Sequence, residues 1–222
     1  MSYKILQVSD YLTLIWGIEM YVYTTSKLLR KQWMVVETIW LHCSSSLLNK
    51  IRPLLLPLTL FNLYSAILLC VRFFSYKPDV IWFHSVSRFH GWLPVFISYF
   101  LKSHRLMIYH DLWYFHPFPR YVTQERQVLP WWFINWMRMS ISVVQQTMRW
   151  RYWFKTLFSG ALMIVWSLCK FVSMSLLRWS LLNTVHTHIV PSDFMVQYLL
   201  DWGVKKSSIE VLPHFVVGTK ED

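Results

Sequence analysis

Glycine and acid are what this chain has least of. It holds 5 glycines in 222 residues, where average usage of roughly 7% corresponds to about 15. Asp and Glu total 11 against 22 Lys and Arg, a formal net charge of +11. The acids are also unevenly spread: none lies between Glu37 and Asp79, and none between Glu125 and Asp193. So little glycine leaves no G-x-G-x-x-G after the first apolar run, which removes the main support for an NAD-binding reading. G-x-S-x-G is missing as well, and with it the usual hydrolase signature. Cys43, Cys70 and Cys169 are far apart, odd in number and without a C-x-x-C. That pattern suggests neither a disulfide framework nor a zinc site and suits a reducing cytosol. His90, His110 and His116 match no zinc spacing either, so no metal is expected. Residues 1–10 lack the long apolar core and cleavage site of a signal peptide.

What is present is apolar bulk. Hydrophobic residues make up 55% of the chain and aromatic ones 18%, which excludes intrinsic disorder. The length suits one well-buried domain, or one domain carrying an appendage. Lys and Arg are diluted among Leu, Ile, Phe, Trp and Met. That suits an anionic membrane surface, whereas nucleic acid calls for charges clustered in a polar groove. Residues 157–177 reach the roughly 20 needed for a span. Arg149, Arg151 and Lys155 precede them, Arg178 follows, and Lys170 sits inside. A central Lys costs about 2.5–3.5 kcal/mol on the insertion scale. The reading is therefore a helix lying in the interface of the inner membrane face, with a single transmembrane helix as the alternative.

The rest of the chain alternates. Residues 4–8 and 35–41 read as strands around a helix over 18–31, and 59–74 as a second helix. Four further apolar runs follow, closing on residues that can point out of the sheet: Asp79-Val80-Ile81-Trp82-Phe83-His84-Ser85, Arg105-Leu106-Met107-Ile108-Tyr109-His110-Asp111, His188-Ile189-Val190-Pro191-Ser192 and Ile209-Glu210-Val211-Leu212-Pro213. Near-continuous apolar strands imply a parallel sheet covered on both faces, and the alternation makes the fold α/β, Rossmann-like and doubly wound. Ligands in such sheets sit beyond the carboxyl ends of the strands. Ser9, Asp10, His84, Ser85, His110, Asp111 and Ser192 share that edge in this reading. Ser192 is placed to cap a helix over 193–202, and Gly203 to end it. Residues 130–182 break the alternation and read as an apolar helical insertion.

Four local sequences together resemble family four of the glycosyltransferases, which has the GT-B fold. They are Lys4-Ile5-Leu6-Gln7-Val8-Ser9-Asp10 with Trp16-Gly17-Ile18-Glu19, then Lys77-Pro78-Asp79 through Ser85, then Tyr109-His110-Asp111, and last Ile189-Val190-Pro191-Ser192 through Gly203-Val204 to Pro213. The resemblance implies an N-terminal, acceptor-side domain over 1–216, a linker starting at 217–222, and a C-terminal donor domain absent from this chain. It implies a retaining hexosyltransferase that moves sugar from a nucleotide-sugar to a cell-envelope glycolipid or polysaccharide. No cofactor is needed, and the isolated chain is expected to be inactive. It further implies that His110 acts at the reacting centre and that Trp16, Gly17, His84, Ser85, Asp111 and Ser192 bind substrate. The small-residue loop ahead of Ile18 has its own physical logic, since a helix N-terminus offers backbone N–H groups to an anion. The other function kept open is a non-catalytic, membrane-associated module that binds an acceptor.

The 14 tryptophans carry a further expectation. Trp16 holds the first position of that family's Gly-Gly loop, and Trp113 lies in another tight loop after His110. Trp33 follows the first helix at the C′ position, where a left-handed residue is usual. A host that reads UGA as glycine, with its gene translated by a table that reads UGA as tryptophan, would account for all three. The alternative is a Trp-rich membrane-interface protein, which fits Trp131, Trp132 and Trp136 better than Trp16 or Trp33.

Overall fold

A computed structural model describes residues 2–10, 18–40, 63–84, 86, 91–110, 114, 133–148 and 153–213. Six strands form one parallel sheet: β1 (Lys4–Ser9), β2 (Val35–Trp40), β3 (Val80–Phe83), β4 (His104–Ile108), β5 (Thr187–Val190) and β6 (Ile209–Val211), in spatial order β2-β1-β3-β4-β5-β6. The helices are α1 (Ile18–Lys31), α2 (Leu63–Tyr76), α3 (Trp92–Ile97), α4 (Phe133–Met148), α5 (Trp153–Thr184) and α6 (Asp193–Asp201). Strand order reverses after β2. This is the doubly wound α/β architecture that the alternating pattern predicts.

The strands are apolar on both faces because both faces are covered. Leu6, Val8, Ile81, Phe83, Met107 and Val190 pack with Leu69 and Phe73 of α2, Val95 of α3, Met174, Leu177 and Leu181 of α5, and Met195 and Leu199 of α6. On the opposite face Tyr21 of α1 packs with Ile108 and Ile189, and Trp82 lies against them. Each fully buried side chain of this size is worth about 1.5–3 kcal/mol of transfer free energy. Helix α1 is amphipathic, burying Tyr21, Val22, Thr25 and Ser26 while Lys27, Arg30 and Lys31 stay exposed. Ser26 donates to the Val22 carbonyl at 2.8 Å and also to the Gln7 side chain, which ties α1 to β1.

The segment 130–182 reads as an insertion in the sequence, yet α5 is the crossover that leads back to the sheet. Its last third lies in the main core, and Val185 and His186 alone separate it from β5. Among the described residues, one helix is long and apolar enough to cross a membrane, over Gly160–Thr184. Met174, Leu177 and Leu181 would have to leave the core, and β5 the sheet, before that stretch could span. Lys170 is buried where α4 meets α5. Its Nζ lies 5.6 Å from the Trp136 ring and 5.5 Å from the Trp166 ring, and the Trp136 indole donates to the Ser167 carbonyl at 3.0 Å.

Two helices end in the same way. After α6, Gly203 N–H donates to Leu200 C=O at 2.9 Å and Val204 N–H to Leu199 C=O at 3.0 Å, with Gly203 at φ 91°. After α1, Trp33 N–H donates to Arg30 C=O at 3.1 Å and Met34 N–H to Leu29 C=O at 3.2 Å, with Trp33 at φ 61°. Both are Schellman motifs, whose C′ residue is usually glycine. Trp33 has the left-handed geometry expected of that position, at a cost of roughly 1–2 kcal/mol for a residue with a Cβ. No packing offsets this, because 88% of the residue is exposed.

Candidate functional site

The sheet delivers its polar strand ends to one place. The His84 N–H donates to Val8 C=O at 2.9 Å, and the Tyr109 N–H donates to Ile189 C=O at 3.0 Å. These last rungs fix where β3 and β4 stop, and so where His84 and His110 begin. His84 Nδ1 lies 3.4 Å from His110 Nε2, and the two rings are 15° from parallel with centroids 5.7 Å apart. Trp82 stacks on His84 with ring centroids 5.1 Å apart. Tyr21, from the first turn of α1, meets both histidine rings edge-on, at 6.0 Å for His84 and 5.1 Å for His110. His110 therefore stands beside the N-terminal turn of α1, where the partial positive charge of the helix is greatest.

The two histidines differ in exposure. His84 has no exposed surface, whereas His110 is half-buried. Burial holds His84 well below the ordinary histidine value of 6.5, and His110 pushes it the same way. The imidazole of His84 is therefore neutral. The sequence expectation is that His84 lines an acceptor site, but its ring has no exposed surface and contacts His110 and Tyr21 instead. Ser9 and Asp10 are buried at the end of β1. Ser192 follows β5 at the same edge and holds the N-cap position of α6. It is exposed, and its hydroxyl makes no capping bond there. Trp16, Gly17, Ser85 and Asp111 lie outside the described residues.

Tyr21 and Trp82 are the members of this group that sequence reasoning missed. Their signal was present: the period of two in β3 puts Trp82 and His84 on one face, and Tyr21 lies on the apolar stripe of α1. A second buried pair lies on the opposite face of the sheet. The Tyr109 hydroxyl meets His188 Nδ1 at 2.9 Å. Burial raises Tyr109 well above its ordinary value and lowers His188 to about 4. A third cluster lies at the amino edge. There Arg105 N–H donates to His186 Nδ1 at 3.0 Å, and the guanidinium donates to the carbonyls of Thr184, Ser98 and Leu101 at 2.5, 3.0 and 2.9 Å. Burial, then Arg105, then His104 lower His186. Among the described residues no group of three His, Cys, Asp or Glu side chains is gathered to hold a metal.

No protein-family model matches the chain, and no curated protein matches it by sequence. Two solved structures of Anabaena Alr3699/HepE are similar to it, one in complex with UDP and glucose and one with UDP. Identity is 11% in both, with TM-scores of 0.44 and 0.42. The matches cover 96% and 97% of this chain but 45% and 44% of the Anabaena protein, so the chain spans less than half its length.

The depressed value of His188 makes stability depend on pH. Its folded value of about 4 lies below the ordinary 6.5, so the unfolded chain takes up a proton first. The stabilisation is complete above pH 6.5 and is lost as pH falls toward 4. Between pH 7 and pH 5 the native protein should lose about 2 kcal/mol more stability than His188→Gln. Urea midpoints of both proteins at the two pH values measure this, and equal losses would clear His188 of the role.

Proposed function

We propose that this chain is the N-terminal, acceptor-side half of a retaining GT-B glycosyltransferase. It would move a hexose from a nucleotide-sugar to a cell-envelope glycolipid or polysaccharide, working with a C-terminal donor domain. The observation that carries the reading is the placement of His110. It stands half-exposed at the carboxyl edge of a doubly wound sheet, against the first turn of α1, on a strand end that reads Tyr109-His110-Asp111. An anion at the N-terminus of α1 gains from the helix dipole and from backbone N–H groups that point along it. In this reading His110 meets the sugar or phosphate oxygens held there, and the fixed polar groups act on charge that develops as the glycosidic bond to phosphate breaks. Nucleotide-sugar binding needs both halves, so this chain alone should bind a donor weakly and transfer nothing.

The test is a nucleotide-sugar screen on the two-domain protein. There His110→Ala should lower turnover by roughly 10²–10⁴, the range for a positioned acid–base or polar group. Unchanged turnover would make His110 a structural residue.

The same reading sets the protein on the cytoplasmic face of an anionic membrane. Ile67, Val71 and Phe74 of α2, Tyr99 and Phe100 after α3, and Leu162, Val165, Val172 and Trp179 of α5 are exposed apolar side chains on segments without acidic residues. Phe100, 70% exposed, continues through Phe96 to Trp179, with centroids 5.7 and 5.4 Å apart. Apolar contact and positive charge together favour the interface of an anionic bilayer. Binding to phosphatidylserine vesicles should weaken as salt rises, because charges more than about 10 Å apart are screened at 0.1 M. Equal binding to neutral vesicles in high salt would remove the electrostatic part.

A further inference from the structure

We propose that His84 is a positioning residue that sets the tautomer of His110 and keeps the His110 proton on Nδ1. This rests on the reading of His110 as the residue that meets the ligand. His84 has no exposed surface and contacts the rings of Trp82, His110 and Tyr21. A ring so enclosed is neutral and carries one N–H. Two nitrogens compete for that proton. Nδ1 faces His110 Nε2 at 3.4 Å, while Nε2 is buried and meets no hydrogen-bond partner.

The competition has a clear winner. A proton on Nε2 would leave a buried N–H unsatisfied, which is rare in native proteins and costly. A proton on Nδ1 makes a hydrogen bond and leaves a bare lone pair behind, which is the lesser loss. His84 therefore donates through Nδ1, and His110 accepts through Nε2. A neutral imidazole whose Nε2 accepts must hold its own proton on Nδ1. Any group that meets His110 at that second nitrogen meets a donor. For a ligand rich in sugar hydroxyl or phosphate oxygens, His110 is then a hydrogen-bond donor in its neutral form rather than a base. Neither the histidine motif nor the strand pattern distinguishes these two roles.

Imidazole ¹⁵N spectra of the intact chain, labelled at histidine, read the tautomers directly. The expected result is Nδ1–H for both His84 and His110. His84→Asn places an amide nitrogen near the former Nδ1 and should keep His110 as Nδ1–H. His84→Phe should release it to the Nε2–H form. His84 found as Nε2–H in the native chain would overturn the proposal, and so would an unchanged His110 tautomer in His84→Phe. If the Phe variant does not fold, the native spectrum decides by itself. The spectra need no sugar transfer, so failure of the transferase reading and failure of this inference are separate results.

A different observation carries a second inference: we infer that position 33 is glycine in the protein as its host makes it. The same pair of Schellman hydrogen bonds closes α1 and α6, with glycine at the left-handed position in one and an exposed tryptophan in the other. The chain holds 14 tryptophans and 5 glycines. Where a host decodes UGA as glycine and its gene is translated with a table that reads UGA as tryptophan, a written tryptophan stands for the residue this geometry favours. Peptide mass spectrometry of the protein from its source organism tests this. Glycine at 33 is expected, and tryptophan there would overturn the inference.

Discussion

A parallel strand cannot be followed by its neighbour through a tight turn. The chain must first run back from the carboxyl edge of the sheet to its amino edge. Nearly everything else in this molecule follows from that obligation. Five parallel pairings require crossovers, and the crossovers cover the faces with helices. Covered faces in turn demand strands that are apolar on both sides. Polar groups are thereby pushed to the strand ends, and the carboxyl ends fall together. His84 and His110 meet because β3 and β4 are neighbours in register, with Phe83 opposite Met107. Their 79–85 and 105–111 segments need no other relation in the chain.

Wherever a residue's role depends on periodicity, the sequence was legible. All six strands, the span of α1, the end of α6 near Gly203 and the left-handed position at 33 follow from apolar alternation and turn chemistry. The role of α5 was not legible. A helix apolar around most of its surface has no stripe to indicate which side faces the core, so 130–182 reads as something added rather than as a crossover. The tertiary packing of Met174, Leu177 and Leu181 decides that question. Burial of His84 was hidden for a similar reason. Strand position places the ring at the ligand edge, but the ring is closed off by Tyr21, 63 residues earlier in the chain, and by the Trp82 indole beneath it.

Scarcity of acid shapes how the interior handles charge. Lys170 lies against two indole faces, and Arg105 spends its guanidinium on backbone carbonyls. Cation–π contact and charge-assisted hydrogen bonds here take the place that carboxylates usually fill. The buried histidines complete the pattern. His84 and His188 are kept neutral by burial, and each gives a ring nitrogen to an aromatic or imidazole neighbour. Neutral rings and bound cations thus make up much of the polar interior, with Asp10 the acid buried among the described residues.

The junction between α5 and β5 has a mechanical consequence. With Val185 and His186 as the whole connection, and His186 held to Arg105 from both backbone and ring, helix and sheet have no hinge between them. A 32-residue helix is about 48 Å long at 1.5 Å per residue. It behaves as a rigid outrigger fixed to β5, one strand in from the edge of the sheet. Its exposed Leu162, Val165, Val172 and Trp179 recur at intervals of three and seven, forming a single keel along its length. Any surface that takes up this keel therefore dictates the tilt of the sheet and the height at which His110 stands above it, leaving the loops no part in that choice.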